Sequence, residues 1–161
     1  MRRAVTHYCR RVIAPGVAAG FACLVLQSGC GGPEPGPEEQ LRQWVSAGQA
    51  AAEGRERRDL LDLISPAYAD SRGLSRDDIG DRLRVYFLRQ HSIKLLTKIE
   101  EMRLYGEEAA KIDLTVAMAG QNDSVFGFSA DAYQFELELE RDGGDWLLIS
   151  ARWGELGDKL H

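Results

Sequence analysis

The chain has 161 residues, with 20 Lys and Arg against 25 Asp and Glu and a formal net charge of −5. That length fits one domain with a real core, and an acidic balance without a basic stripe excludes nucleic acid as a partner. The three cysteines, Cys9, Cys23 and Cys30, all lie near the start, and only His91 and His161 follow them, so no disulfide, thiol catalysis, metal centre or cofactor is expected in the remainder.

The first residues, "MRRAVTHYCRR", are basic through Arg2, Arg3, Arg10 and Arg11 and contain no acid. An uncharged run, "VIAPGVAAGFACLVLQSG", follows. A basic head, an apolar middle and small residues before a cut form the signal-peptide pattern. The run is short for a membrane span, which needs roughly 20 apolar residues, and Pro15, Gly16 and Gly20 weaken it as a permanent helix. Residues 1–29 are therefore read as a signal peptide.

Ser28-Gly29-Cys30 resembles the end of a bacterial lipobox, although Gln27 stands where that pattern carries an aliphatic residue. The resemblance implies a diacylglycerol on the Cys30 thiol and cleavage just before it. Gly31, where an Asp favours inner-membrane retention, implies the outer membrane. Residues 30–37, "CGGPEPGP", are Gly- and Pro-rich and suit a flexible tether. The expectation is an envelope lipoprotein held to the membrane through Cys30. A soluble secreted domain is the alternative.

The folded domain is expected over residues 38–161. Leu41, Trp44, Val45, Gly48, Ala51 and Ala52 recur at helical spacing between Glu38 and Arg55. A second helix is predicted from Arg57 to Ile64, stopped by Pro66. Ser75 is an N-cap for a third, with Asp77 and Asp78 in its first turn. Ile79, Leu83, Tyr86, Phe87 and Gln90 share its face.

After His91 the period shortens. Ile99, Glu101, Arg103 and Tyr105 alternate with Lys98, Glu100, Met102 and Leu104, a strand only roughly two-sided. "KIDLTVAMAG" places Ile112, Leu114, Val116 and Met118 on one face, and "YQFELELE" places Tyr133, Phe135, Leu137 and Leu139 inward. "RDGGDW" is a hairpin turn and "WLLISARW" the last strand. The order is α+β: three N-terminal helices packed in a strongly curved four-stranded antiparallel sheet.

That order, a "SP-Y" break and the ending "FELELERDGGDWLLISARW" resemble the nuclear-transport-factor-2-like superfamily, to which ketosteroid isomerase and scytalone dehydratase belong. The resemblance implies a cone-shaped α+β roll whose open end can hold a small apolar ligand, and a tendency to dimerise. Its members include enzymes, ligand binders and protein-contact modules, so the fold leaves function open.

Enzymes of that superfamily use a carboxylate in an apolar pocket, with a tyrosine or acid for a developing oxyanion. The candidates by residue type are Tyr68, Tyr86, His91, Tyr105, Asp113 and Tyr133. Asp113 is expected to face outward, opposite Ile112 and Leu114. Tyr68, Tyr86 and Tyr133 are the candidate pocket residues, and His91 a cation suited to a helix C-terminus. No catalytic residue is assigned. The last strand is apolar on both faces, so Trp146 and Leu148 are read as an interface, either for a second copy through the sheet or under the C-terminal tail. Phe126 and Phe128 are read as a plug for the cone or an exposed contact. The favoured function is non-catalytic binding of a protein partner or small apolar ligand. The rival is a small isomerase- or dehydratase-type enzyme.

Overall fold

A computed structural model of the chain describes residues 35–122 and 128–161. The helices are α1 (Pro37–Gly54), α2 (Arg57–Asp62) and α3 (Arg76–Arg89). The strands are β1 (Gln90–Tyr105), β2 (Ala109–Asn122), β3 (Phe128–Asp142) and β4 (Asp145–Glu155). The sheet is an antiparallel meander in the order β1-β2-β3-β4. The helices pack on one of its faces, the expected α+β cone.

The helices start and stop for local reasons. Pro37 opens α1, where its missing N–H is harmless and its fixed φ suits a helix. Ser75 and Asp78 close a reciprocal capping box on α3. α2 ends at Asp62, two residues before the expected Ile64. Leu63 and Ile64 are diverted there to the edge of β4, where the Leu148 N–H donates to the Leu63 carbonyl at 3.0 Å. α3 runs straight into β1, so Gln90 caps the helix and opens the strand.

Two β-bulges decide which side chains reach the core. The first, between Ile99 and Glu101, shifts the register of β1 against β2. Ile99, Met102 and Leu104 therefore all pack against the core, although simple alternation sets Ile99 opposite the other two. The second bulge leaves Ile149 unpaired, since Glu138 faces Ser150 while Leu139 faces Leu148. Trp146, Leu148 and Ala151 are consequently all buried with Leu41, Ile112 and Leu139.

Trp146 and Leu148 are 5% and 8% exposed and belong to the core, so of the two alternatives for them it is the chain's own residues, and not a second copy, that cover them here. Leu147 and Ile149 are the outward pair and are half-buried. Chain 63–71 runs along this edge: Ser65 N–H donates to the Leu148 carbonyl at 2.9 Å and Ala69 N–H to that of Ile149 at 3.2 Å. Further along, Trp153 and His161 exchange backbone hydrogen bonds, so the C-terminal tail covers the rest of the edge.

The outer sheet face is ionic. Arg103 holds Asp113 at 2.5 Å, and Glu136 lies between Lys111, at 2.7 Å, and Arg152. Asp113 thus points outward, as its strand pattern implies.

Candidate functional site

The concave side of the sheet and the helices enclose a cavity of about 420 Å³. α1 contributes Trp44, Val45, Gly48, Gln49 and Ala52, at the three- and four-residue spacing of one helix face. Leu60 comes from α2, and Leu83, Tyr86 and Phe87 from α3. The sheet supplies Ile93, Leu95 and Thr97 of β1, Leu114, Val116 and Met118 of β2, and Tyr133, Phe135 and Leu137 of β3. Each strand offers alternate residues because successive side chains point to opposite faces.

The polar side chains in this wall are few: Trp44, Gln49, Tyr86, Thr97 and Tyr133. Gln49 Nε2 donates to the Leu95 carbonyl at 3.1 Å. The Tyr86 hydroxyl donates to the Met118 sulfur at 3.1 Å. Trp44 Nε1 is buried without a partner. Among the described lining residues there is no Asp, Glu, His, Lys or Arg. No group of three His, Cys, Asp or Glu stands close enough among the described residues to hold a metal ion.

The structure separates the candidate pocket tyrosines. Tyr86 and Tyr133 line the cavity. Tyr68 is buried in the main core instead, where burial, with Asp70 nearby, pushes its phenol up to about 12. Burial also raises the Tyr86 phenol, with help from Asp131 and from Tyr133. The Tyr133 phenol rises for the same first reason, with Asp131 and Glu155 adding to it.

Asp131 is the one carboxylate that bears on both cavity tyrosines. It pairs in register with Met118, two residues along β3 from Tyr133, and is exposed at that end of the sheet. Sequence reasoning missed it because the alternating pattern it extends is recognisable only from Tyr133 onward. His91 is exposed on β1 directly after Gln90, the C-cap of α3, and Tyr105 is exposed at the far end of the same strand. Neither lines the cavity. Phe126 and Cys30 lie outside the described residues, and Phe128 opens β3 opposite Gln121.

No protein-family profile matches the chain, and no curated protein is significantly similar to it. Solved structures are similar in fold. A candidate scytalone dehydratase from Novosphingobium aromaticivorans DSM 12444 superposes with a TM-score of 0.66 at 9% identity, over 76% of this chain and 89% of that one. A ketosteroid isomerase-like protein from Erwinia carotovora atroseptica SCRI1043 gives 0.61 at 11% identity, over 74% and 96%. A hexachlorocyclohexane dehydrochlorinase gives 0.63 at 13% identity, over 77% and 88%. The fold is that of nuclear-transport-factor-2-like and ketosteroid-isomerase-like proteins, and at these identities the likeness is one of fold alone.

Proposed function

We propose that the chain is a non-catalytic binding module that holds a small apolar ligand in its cone, tethered to the bacterial envelope through Cys30. The cavity carries this reading. Its volume of about 420 Å³ lies within the range of small-molecule sites. Its walls are apolar, and two of its polar side chains are engaged with the protein's own groups. Such a wall rewards the transfer of apolar surface out of water and gives little purchase to a charged reactant.

Titration of the full chain with 1-dodecanol, followed by tryptophan emission, tests the reading, because Trp44 is part of the wall. Saturable binding is expected. Val116→Phe, which fills the cavity from the sheet side, is expected to weaken it by about tenfold with the fold retained. A wild-type titration without saturation overturns the proposal.

Asp131 favours a second reading, a small isomerase- or dehydratase-type enzyme. It lies two residues from Tyr133 on β3, and a carboxylate near cavity phenols is the type of group such chemistry uses. Its signature is deuterium uptake at the α-carbon of a cyclic ketone, lost in Asp131→Asn while dodecanol binding is retained.

A further inference from the structure

Next to the cavity, on the helical side, lies a second and very different groove. It is lined by Gly54, Arg55, Arg57, Arg84, Phe87 and Leu88. Phe87 belongs to both sites, and its half-buried ring forms the wall between them. All three helices contribute to the cavity, and the groove lies along their ends and outer faces. On α2, Leu60 faces the cavity and Arg57 the groove; on α3, Leu83 faces the cavity and Arg84 the groove.

The groove has three guanidinium groups and no acidic residue in its lining. This is unusual on a chain with a formal charge of −5. Arg55 donates one N–H to the Gln90 carbonyl at 3.1 Å, and Arg57 one to the Gly80 carbonyl at 3.4 Å. A guanidinium has five N–H donors, so most remain to be used. The Arg84 side chain makes no hydrogen bond or ion pair among the described residues. Glu53, the acid nearest Gly54 on α1, is already engaged by the Leu95 N–H and Lys94. Beside the guanidinium groups, Leu88 is 77% exposed.

We infer that the ligand of the cone is an anionic amphiphile, its apolar chain in the cavity and its carboxylate or phosphate head on the arginines across Phe87. This inference rests on reading the cavity as a ligand site. Chemical complementarity carries it: an uncharged apolar pocket adjoins a cleft lined by three guanidinium groups with donors to spare, and Glu56, whose Cγ lies 3.2 Å from a Cβ built at Gly54, flanks that cleft without lining it. Guanidinium groups bind planar carboxylates and phosphates through paired N–H donors.

The test titrates the full chain in detergent-free buffer with dodecanoate, dodecyl phosphate, 1-dodecanol and inorganic phosphate. Both charged amphiphiles are expected to bind at least about tenfold more tightly than the alcohol, since a charge-assisted hydrogen bond adds that much. Their rank tells carboxylate from phosphate. Arg84→Gln, an exposed helical change, is expected to remove the advantage while leaving dodecanol binding unaltered, and Arg84→Lys to restore part of it. If dodecanol binds and Arg84→Gln leaves the preference unchanged, the head-group inference is overturned and the cavity reading stands. If no chain-bearing probe binds, the cavity reading itself fails, and this inference with it. Inorganic phosphate binding at Arg84 without effect on dodecanoate overturns the link between the two sites.

Discussion

The side-chain oxygen of Gln40, in the first turn of α1, accepts the indole N–H of Trp146 on β4 at 3.3 Å. The same oxygen takes Arg141 Nη2 at 3.0 Å. One amide thus pins the start of the helical layer to the β3–β4 hairpin. It also satisfies the only donor of a tryptophan side chain that lies inside the core.

Gln40→Ala leaves that indole N–H buried and unpaired, a loss of about 1–3 kcal/mol. Urea unfolding at neutral pH measures it. A variant as stable as the wild type would mean that water reaches Trp146.

Glu136 supplies a pH-dependent term. Burial alone raises its carboxyl, but hydrogen bonds from Lys111 and Arg152 outweigh burial and hold it below its ordinary value. A carboxyl depressed in the folded state stabilises the protein above its unfolded pKa, and that contribution disappears as pH falls through the folded value. Glu136→Gln is therefore expected to lower stability by about 1–2 kcal/mol near pH 7. The gap to wild type should close in acid, below the folded value. Denaturation curves at both extremes read this out, and an equal gap at each is the contrary result.

At Gly154 the C-terminal tail packs closely on the sheet. A Cβ there would stand 2.9 Å from the Lys159 carbonyl oxygen. Gly154→Ala is expected to push the tail off and cost about 1–3 kcal/mol. Backbone hydrogen exchange should quicken at Trp153 and His161, which are bonded to each other across this contact. Unchanged exchange at those two amides would show that the tail does not guard the strand.

The proposed anchor has its own test. Cys30→Ser is expected to move the protein from the membrane to the soluble fraction of its host, since the acyl chains provide the hold. Fractionation that matches wild type removes the lipid from the proposal.

Much of this arrangement is written in local pattern. The strict alternation from Tyr133 to Leu139 placed the walls of the cone, and the same period in β2 put Asp113 outside, on Arg103. Ser75 and Asp78 marked the start of α3. What local pattern omits is the extra residue. Simple alternation splits Ile99 from Met102 and Leu104, which a bulge in β1 reunites; it also leaves either face of β4 to be the buried one, which the pairing of Leu148 with buried Leu139 decides, and a bulge then brings Ala151 to the same side. Tyr68 and Tyr86 look alike as candidate phenols, yet only the packing of separate elements sends one to the core and the other to the cavity. The arginine groove was hidden for a similar reason. Its members come from the end of α1, the start of α2 and the back of α3, and nothing in sequence spacing joins Arg55 to Arg84.

The unequal covering of the sheet's two margins has a consequence for crowded conditions. At one margin, chain 63–71 and the tail occupy positions on β4. At the other, Glu53 and Gln49 take the N–H and carbonyl of Leu95 on β1. Uncapped strands are templates on which neighbouring copies add and grow into aggregates. Here β4 offers a neighbouring copy few rungs, so an added strand would have to begin on β1, away from Leu95.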